Sequence, residues 1–268
     1  MLWGDFNSSF TQTVINMIET GVNVSYVMSF NEPDGTFQSG GSEVTPQRAA
    51  ARWATDIAPL GAYGVELGAP AVAGNEGGFQ WLQQFFTACN GSCNASFISV
   101  HWYGNFQGLA SKLGQTAATY PNMTIWVTEF ADADDTLANS QSYAAQDFSY
   151  MDRLSNVIRY SYFGAFRSNV SNVGPNATML DQCGRLTEIG LTYLNVSGTG
   201  YIPYNVSCTT SVSSSPAPTS TVNTQSSNTA STSTTYSPTS YVQPSSIPNP
   251  TQQSSTTSSY SSTTSSLS

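Results

Sequence analysis

The stretch Val24-Ser25-Tyr26-Val27-Met28-Ser29-Phe30-Asn31-Glu32-Pro33-Asp34 decides how the chain is read. Residues 24–30 form an apolar run rich in β-branched and aromatic side chains, of the length expected for a buried strand. Pro33 lacks the N–H that a ladder needs and drives residue 32 out of the right-handed helical region, so the strand ends at the carboxylate. A parallel barrel presents catalytic acids at the C-terminal ends of its strands in this way. Taken by themselves, the four residues Asn-Glu-Pro-Asp are also compatible with a polar turn. What separates the two readings is whether the chain supplies partners for Glu32.

Composition divides the 268 residues in two. Every charged residue, all four cysteines and all five tryptophans lie before residue 209. Residues 209–268 are mostly Ser and Thr with scattered Pro, and too little apolar surface is available there to offset the entropy of folding. That tract is expected to be a disordered tail, either an O-glycosylated stalk or a plain linker. Residues 1–208 are long enough for one domain with a sizeable core. The net charge of −9, with only seven Lys plus Arg, offers no basic patch for nucleic acid and suits a neutral ligand.

Nine Asn-X-Ser/Thr triplets start at Asn7, Asn23, Asn90, Asn94, Asn122, Asn169, Asn176, Asn195 and Asn205. That density argues for passage through the secretory pathway. The cysteines agree: Cys89 and Cys93 can clip the loop between them, and Cys183 with Cys208 can staple the end of the domain, although other pairings remain open. Two cysteine pairs without nearby His make a poor zinc site. Met1-Leu2-Trp3-Gly4-Asp5 is not a signal sequence, and Thr264-Ser265-Ser266-Leu267-Ser268 is not a lipid-anchor tail.

Working outward from Glu32, strands and helices alternate, which argues for a parallel sheet. Six strands are expected: the tail of one at residues 1–4, then 24–30, 65–72, 97–103, 124–130 and 157–166. Helices are expected at 10–20, from the Thr45-Pro46 cap onward, over 79–86, 109–119, 140–154 and 184–194. Gly74-Asn75-Glu76-Gly77-Gly78 lacks nucleotide-loop spacing. Asp132, Asp134 and Asp135 read as a solvated turn. Two strands end in a glutamate, Glu32 and Glu129, and in a barrel both would face one mouth. Paired carboxyls of this kind are what glycoside hydrolysis requires, with environments that separate their pKa values.

The set Phe30-Asn31-Glu32-Pro33-Asp34, Ser99-Val100-His101-Trp102-Tyr103-Gly104, Trp126-Val127-Thr128-Glu129-Phe130 and Arg159-Tyr160-Ser161-Tyr162-Phe163-Gly164 resembles glycoside hydrolase family 128. This is the fungal glycosyl hydrolase catalytic core group, alkali-sensitive linkage protein-like, within clan A of retaining glycosidases. The resemblance covers about residues 1–195. It implies a (β/α)₈ TIM-type barrel and a secreted hydrolase of the β-1,3-glucan in the fungal cell wall. It also implies Glu32 as acid/base, Glu129 as nucleophile, and Asn31 on the sugar 2-hydroxyl. His101 and Tyr103 would orient the nucleophile, with a backbone-satisfied core histidine as the alternative for His101. Trp102 would be either a sugar platform or packing.

No metal or cofactor is implied, nor any nucleic acid or membrane insertion, and the chain is expected to act as an extracellular monomer. A non-catalytic glucan-binding wall protein is the alternative. The family's third strand ends in a sequence like Met1-Leu2-Trp3-Gly4, so the barrel is expected to be N-terminally truncated, with strands three to eight present. Met1 then reads as an internal methionine, and the exposed sheet edges would make this form weakly active or poorly soluble.

Overall fold

The computed structural model describes residues 1–6 and 9–196. After a first helix α1 (Phe10–Glu19), strands β1 (Tyr26–Met28), β2 (Glu66–Gly68), β3 (Phe97–Tyr103), β4 (Thr124–Ala131) and β5 (Val157–Tyr162) form one sheet in chain order. All four neighbouring pairs are parallel. The connections carry helices α2 (Pro46–Arg52), α3 (Glu76–Cys89), α4 (Phe106–Thr119) and α5 (Leu137–Met151), and α6 (Glu188–Tyr193) follows the last strand.

Each βα connection ends on a side chain that satisfies a first-turn amide. Thr45 accepts from Arg48 N with Pro46 as first helical residue, Asn75 from Gly78 N, Asn105 from Gly108 N, and Thr136 from Asn139 N. These caps set where each helix leaves the end of its strand. The outer face of the sheet is apolar. Val27, Leu67, Ile98, Val100, Ile125 and Val127 are all buried in the main hydrophobic cluster.

The sheet curls. On its concave side Phe97 stacks on Trp126 with centroids 4.1 Å apart, and Tyr26 leans on both rings. The Phe97 ring crosses β2 over Gly68, where a Cβ would meet ring carbons at 2.5 Å. Arg159, from the last strand, lies 4.9 Å from the Tyr26 and Trp126 centroids and donates from Nη2 to the Tyr26 hydroxyl at 3.2 Å. The two edge strands therefore meet across the concave face.

Several sequence expectations change here. Five regular strands are present among the described residues rather than the six expected of a truncated barrel, and they form an open, curled parallel sheet. Residues 1–4 are not a regular strand, but they run along the free edge of β1, with Leu2 N donating to Met28 O and Asn31 N to Trp3 O, both 2.9 Å. The last strand stops at Tyr162, because the chain turns at Gly164, where a Cβ would strike the Tyr162 ring and the Ala177 carbonyl. The last helix starts at Glu188, not 184, since Gly184 and Arg185 belong to a loop wrapped around the Asp181 carboxylate. Cys89 and Cys93 are disulfide-bonded, as expected. The Cys183–Cys208 pairing, the triplets at Asn7 and Asn205, and the Ser/Thr-rich tail lie at least partly outside the described residues.

Candidate active site

Glu32 sits four residues past β1 with φ at 37°, in the left-handed region that residues other than Gly, Asn and Asp rarely adopt. Neighbours on both sides hold that conformation: Glu32 N donates to Ala71 O at 2.6 Å, and Glu32 O accepts from Gly35 N at 2.9 Å and Ser42 N at 3.2 Å. Backbone strain of this kind persists only where surroundings over-determine it, and it concentrates at working sites. Gly41 lies directly beneath, where a Cβ would come 2.5 Å from the Glu32 carbonyl.

Glu129 reaches the same place by a different device. Trp126 is on the concave face with Phe97, whereas Phe130 packs on Phe148 of α5, on the helix side. Strict alternation would put residues 126 and 130 on one face. The β3–β4 register explains the difference: Val100 pairs with Val127, but His101 pairs with Glu129, so Thr128 is an extra residue. This bulge re-aims Glu129 onto the concave side.

His101 and Tyr103 point there from β3. His101 is buried, and its Nδ1 lies 3.0 Å from Glu32 Oε1 and 3.4 Å from Glu129 Oε2. The Tyr103 hydroxyl donates to Glu129 Oε2 at 2.8 Å. One oxygen of Glu32, one oxygen of Glu129 and a His101 ring nitrogen all lie within 4.8 Å of one another. Burial pushes the Glu129 carboxyl above its ordinary value, and the Glu32 charge adds to this, while His101 and the Tyr103 hydrogen bond oppose it. Burial and the Glu129 carboxylate together push the Tyr103 hydroxyl far up, so it stays a donor. The same three donor groups, two carboxylates and an imidazole, are spaced closely enough to hold a cation. A two-carboxylate displacement needs none.

The remaining expected residues fall as follows. Asn31 is adjacent, with its amide donating to Gly40 O at 3.2 Å. Trp102 is on the opposite face of β3 from His101. Its indole Nε1 donates to Asn105 O and its ring lies against Gly108 in the first turn of α4, so packing describes its surroundings. Asp34 is turned inward, accepting from Ala73 N at 3.0 Å, and burial raises its pKa. Glu76 is exposed in the first turn of α3, and Glu66 is exposed on β2. Asp132 is not a solvated turn residue but buried. One group escaped sequence reading. Trp3 stacks on Phe37 with centroids 6.1 Å apart and Phe6 tilts against it, beside Asn31. Phe37 and Phe6 are exposed. The only hint was an aromatic residue inside a glycine-rich loop.

A carboxylate pair held on one imidazole at the C-terminal mouth of a parallel sheet is a glycosidase arrangement, and similarity to known proteins agrees with it. Residues 1–193 match the glycosyl hydrolase catalytic core family. The chain belongs to that family. Alkali-sensitive linkage protein 1 of Schizosaccharomyces pombe is 32% identical over 179 residues, which cover 63% of this chain and 32% of that protein. The chain thus spans about a third of the length of the curated relative it matches. Among solved structures, a glycoside hydrolase family 128 curdlan-specific exo-β-1,3-glucanase from Blastomyces gilchristii, in complex with glucose, superposes with a TM-score of 0.58 at 27% identity. That match covers 72% of this chain and 79% of the other. A family 128 oligosaccharide-binding protein from Cryptococcus neoformans gives 0.58 at 25% identity, over 73% and 77% of the two chains. The family 128 structures that resemble this chain therefore include both a hydrolase and a binder.

Proposed function

We propose that the chain is a secreted, retaining glycoside hydrolase acting on β-1,3-glucan of a cell wall, with Glu32 as acid/base and Glu129 as nucleophile. The observation that carries this is that both carboxylates converge on the His101 ring nitrogen, with an oxygen of one within 4.8 Å of an oxygen of the other. Retaining enzymes hold their carboxyls about 5–5.5 Å apart, whereas inverting enzymes need about 6.5–9.5 Å to admit a water between them. Glu32 would protonate the glycosidic oxygen while Glu129 attacks the anomeric carbon. That breaks the carbon–oxygen bond and leaves a glycosyl ester on Glu129. A water deprotonated by Glu32 then cleaves the ester and restores both groups.

The nucleophile must be ionised when it attacks. Tyr103 and His101 are the two neighbours that favour that state against burial. The exposed Phe37, stacked on half-buried Trp3 beside Asn31, offers an apolar platform for a sugar ring. Secretion is supported by the density of glycosylation triplets and the Cys89–Cys93 disulfide.

The test is hydrolysis of a soluble β-1,3-glucan by the full chain and by Glu129→Ala and Glu32→Ala. Both variants should lose activity, by roughly 10²–10⁴-fold for the acid/base, and the product should keep its anomeric configuration. Wild-type rates in Glu129→Ala would remove the assignment. Glucan binding by the unaltered chain with no release of sugar would place it with the oligosaccharide binders instead.

A further inference from the structure

We propose that the face formed by the loops preceding the strands carries the N-linked glycans of this protein, and that Asn176, although it heads a triplet, does not carry one. The proposal rests on the reading that the chain is secreted. Seven of the nine triplets have a described Asn. Asn23 precedes β1, Asn90 and Asn94 precede β3, and Asn122 precedes β4, and all four are exposed. Because every strand runs the same way, these loops share one face of the sheet. Glu32 and Glu129 are at the opposite ends of the strands.

Asn195 follows a helix that runs toward that same side. Helix α6 starts beside Met179, whose amide donates to Gly164 O beyond the end of β5, and it finishes with the Tyr193 hydroxyl on Tyr160 O, mid-strand. The helix therefore runs away from the mouth, and Asn195 leaves it exposed. Asn169, beyond β5, is the exposed exception among the described residues.

Local geometry favours the loops as acceptors. Asn90 is in the left-handed conformation, φ 47°, at the tip of the disulfide loop, and Asn94 follows directly after it. In the Asn23 triplet the Ser25 hydroxyl already donates to Asn23 Oδ1 at 3.1 Å. Asn176 is the opposite case. Its Nδ2 donates to Asp135 O at 2.9 Å, it is half-buried, and the next residue, Ala177, is fully buried.

In the transfer itself, the Asn amide nitrogen bonds to the anomeric carbon of a lipid-pyrophosphate-linked oligosaccharide. The carbon–oxygen bond to the pyrophosphate breaks and the amide gives up a proton. The bulky product is tolerated at a surface. At Asn176 it would force apart the segment packed on Asp135, so chains modified there would fail to fold. Glycans on the strand-entry face would leave the mouth open to a polymer.

The test is to send the full chain into the yeast secretory pathway behind a heterologous leader. Glycans are then released from the secreted protein with an amidase in heavy-oxygen water, and the labelled Asp positions are mapped by peptide mass. Label is expected at Asn23, at Asn122, at Asn195 and at one or both of Asn90 and Asn94, with Asn176 unlabelled. Label at Asn176, label at Asn169 on the mouth side, or no label in the three strand-entry loops overturns the proposal. Occupancy is read without any glucan, so an inactive hydrolase leaves it standing.

Discussion

At the scale of single residues, the site depends on which groups favour a charged Glu129. The Tyr103 hydroxyl is the direct one, at 2.8 Å from Oε2. Tyr103→Phe removes it and leaves the burial that raises the Glu129 pKa. A hydrogen bond to a charged group contributes about 1.5–3 kcal/mol, which corresponds to roughly one to two pH units. The sign follows: a nucleophile that ionises at higher pH moves the acidic limb of the kcat/KM profile upward. We expect that shift, together with a lower maximum, and a profile that keeps its acidic limb would rule out the positioning role of Tyr103. Glu32 and Glu129 were both legible in the sequence, because proline and strand ends mark where a carboxylate is delivered. The position of His101 between them was not. A histidine on an apolar strand reads the same whether it meets a backbone group or two acids, and only the pairing of β3 with its neighbours separates the cases.

At the scale of elements, two backbone irregularities aim the carboxylates. The loop after β1 folds back so that Gly41 lies under Glu32, with no room for a methyl group. Its backbone carries no positive φ, so Gly41→Ala acts through contact alone. We expect Gly41→Ala to displace Glu32 and lower hydrolysis at least tenfold, while thermal stability falls by about 1–3 kcal/mol as for other overpacked sites. Unchanged kcat would show that the loop tolerates the shift. The Thr128 bulge does the equivalent work on β4. Apolar alternation identified that strand and its Glu, but alternation alone places Glu129 with Ile125 and Val127 on the helix side. A bulge has no signature in one sequence, so the strand could be read and its facing could not. Of the helix starts, Phe10 and the Thr45-Pro46 cap were legible, whereas α3, α4 and α5 begin three residues earlier than expected, because Asn75, Asn105 and Thr136 cap them ahead of the apolar residues that marked each helix. Helix and strand ends near Gly164 and Gly184 were overrun because tertiary contacts, not propensity, stop them.

At the scale of the whole molecule, acidity is stored away from the mouth as well. Asp147 of α5 is 1% exposed with Oδ1 unpartnered, and burial together with the Asp132 charge pushes it up to about 8. Burial and the Asp135 charge push Asp132 up to about 6. Both carboxyls bind their protons more tightly when folded than in the unfolded chain, where Asp titrates near about 3.9. Their contribution is therefore complete below about pH 4 and is lost as the pH rises through about 6 and then about 8. The urea midpoint should be lower at about pH 8 than at about pH 5, and Asp147→Asn should flatten that dependence. An unchanged slope in the variant would place the pH effect elsewhere.

One guanidinium hooks the first strand to the last. Arg159 reaches the Tyr26 hydroxyl while its planar group covers the Tyr26 and Trp126 rings. Such a contact contributes only about 0.5–1 kcal/mol at an exposed position, so Arg159→Met should cost little in melting temperature. Because it ties β5 back to β1, we expect its larger effect to be on curvature. Glu32 comes from the first strand of the sheet and Glu129 from the fourth, so the gap between them widens as the sheet relaxes toward flatness. We expect Arg159→Met to slow trapping of Glu129 by a mechanism-based fluoroglycoside more than it lowers stability. Equal effects on the two would mean that the bend is held by the stacked rings alone. Under the proposed roles, the radius of the sheet, rather than the identity of any mouth residue, sets the carboxylate spacing on which a double displacement depends.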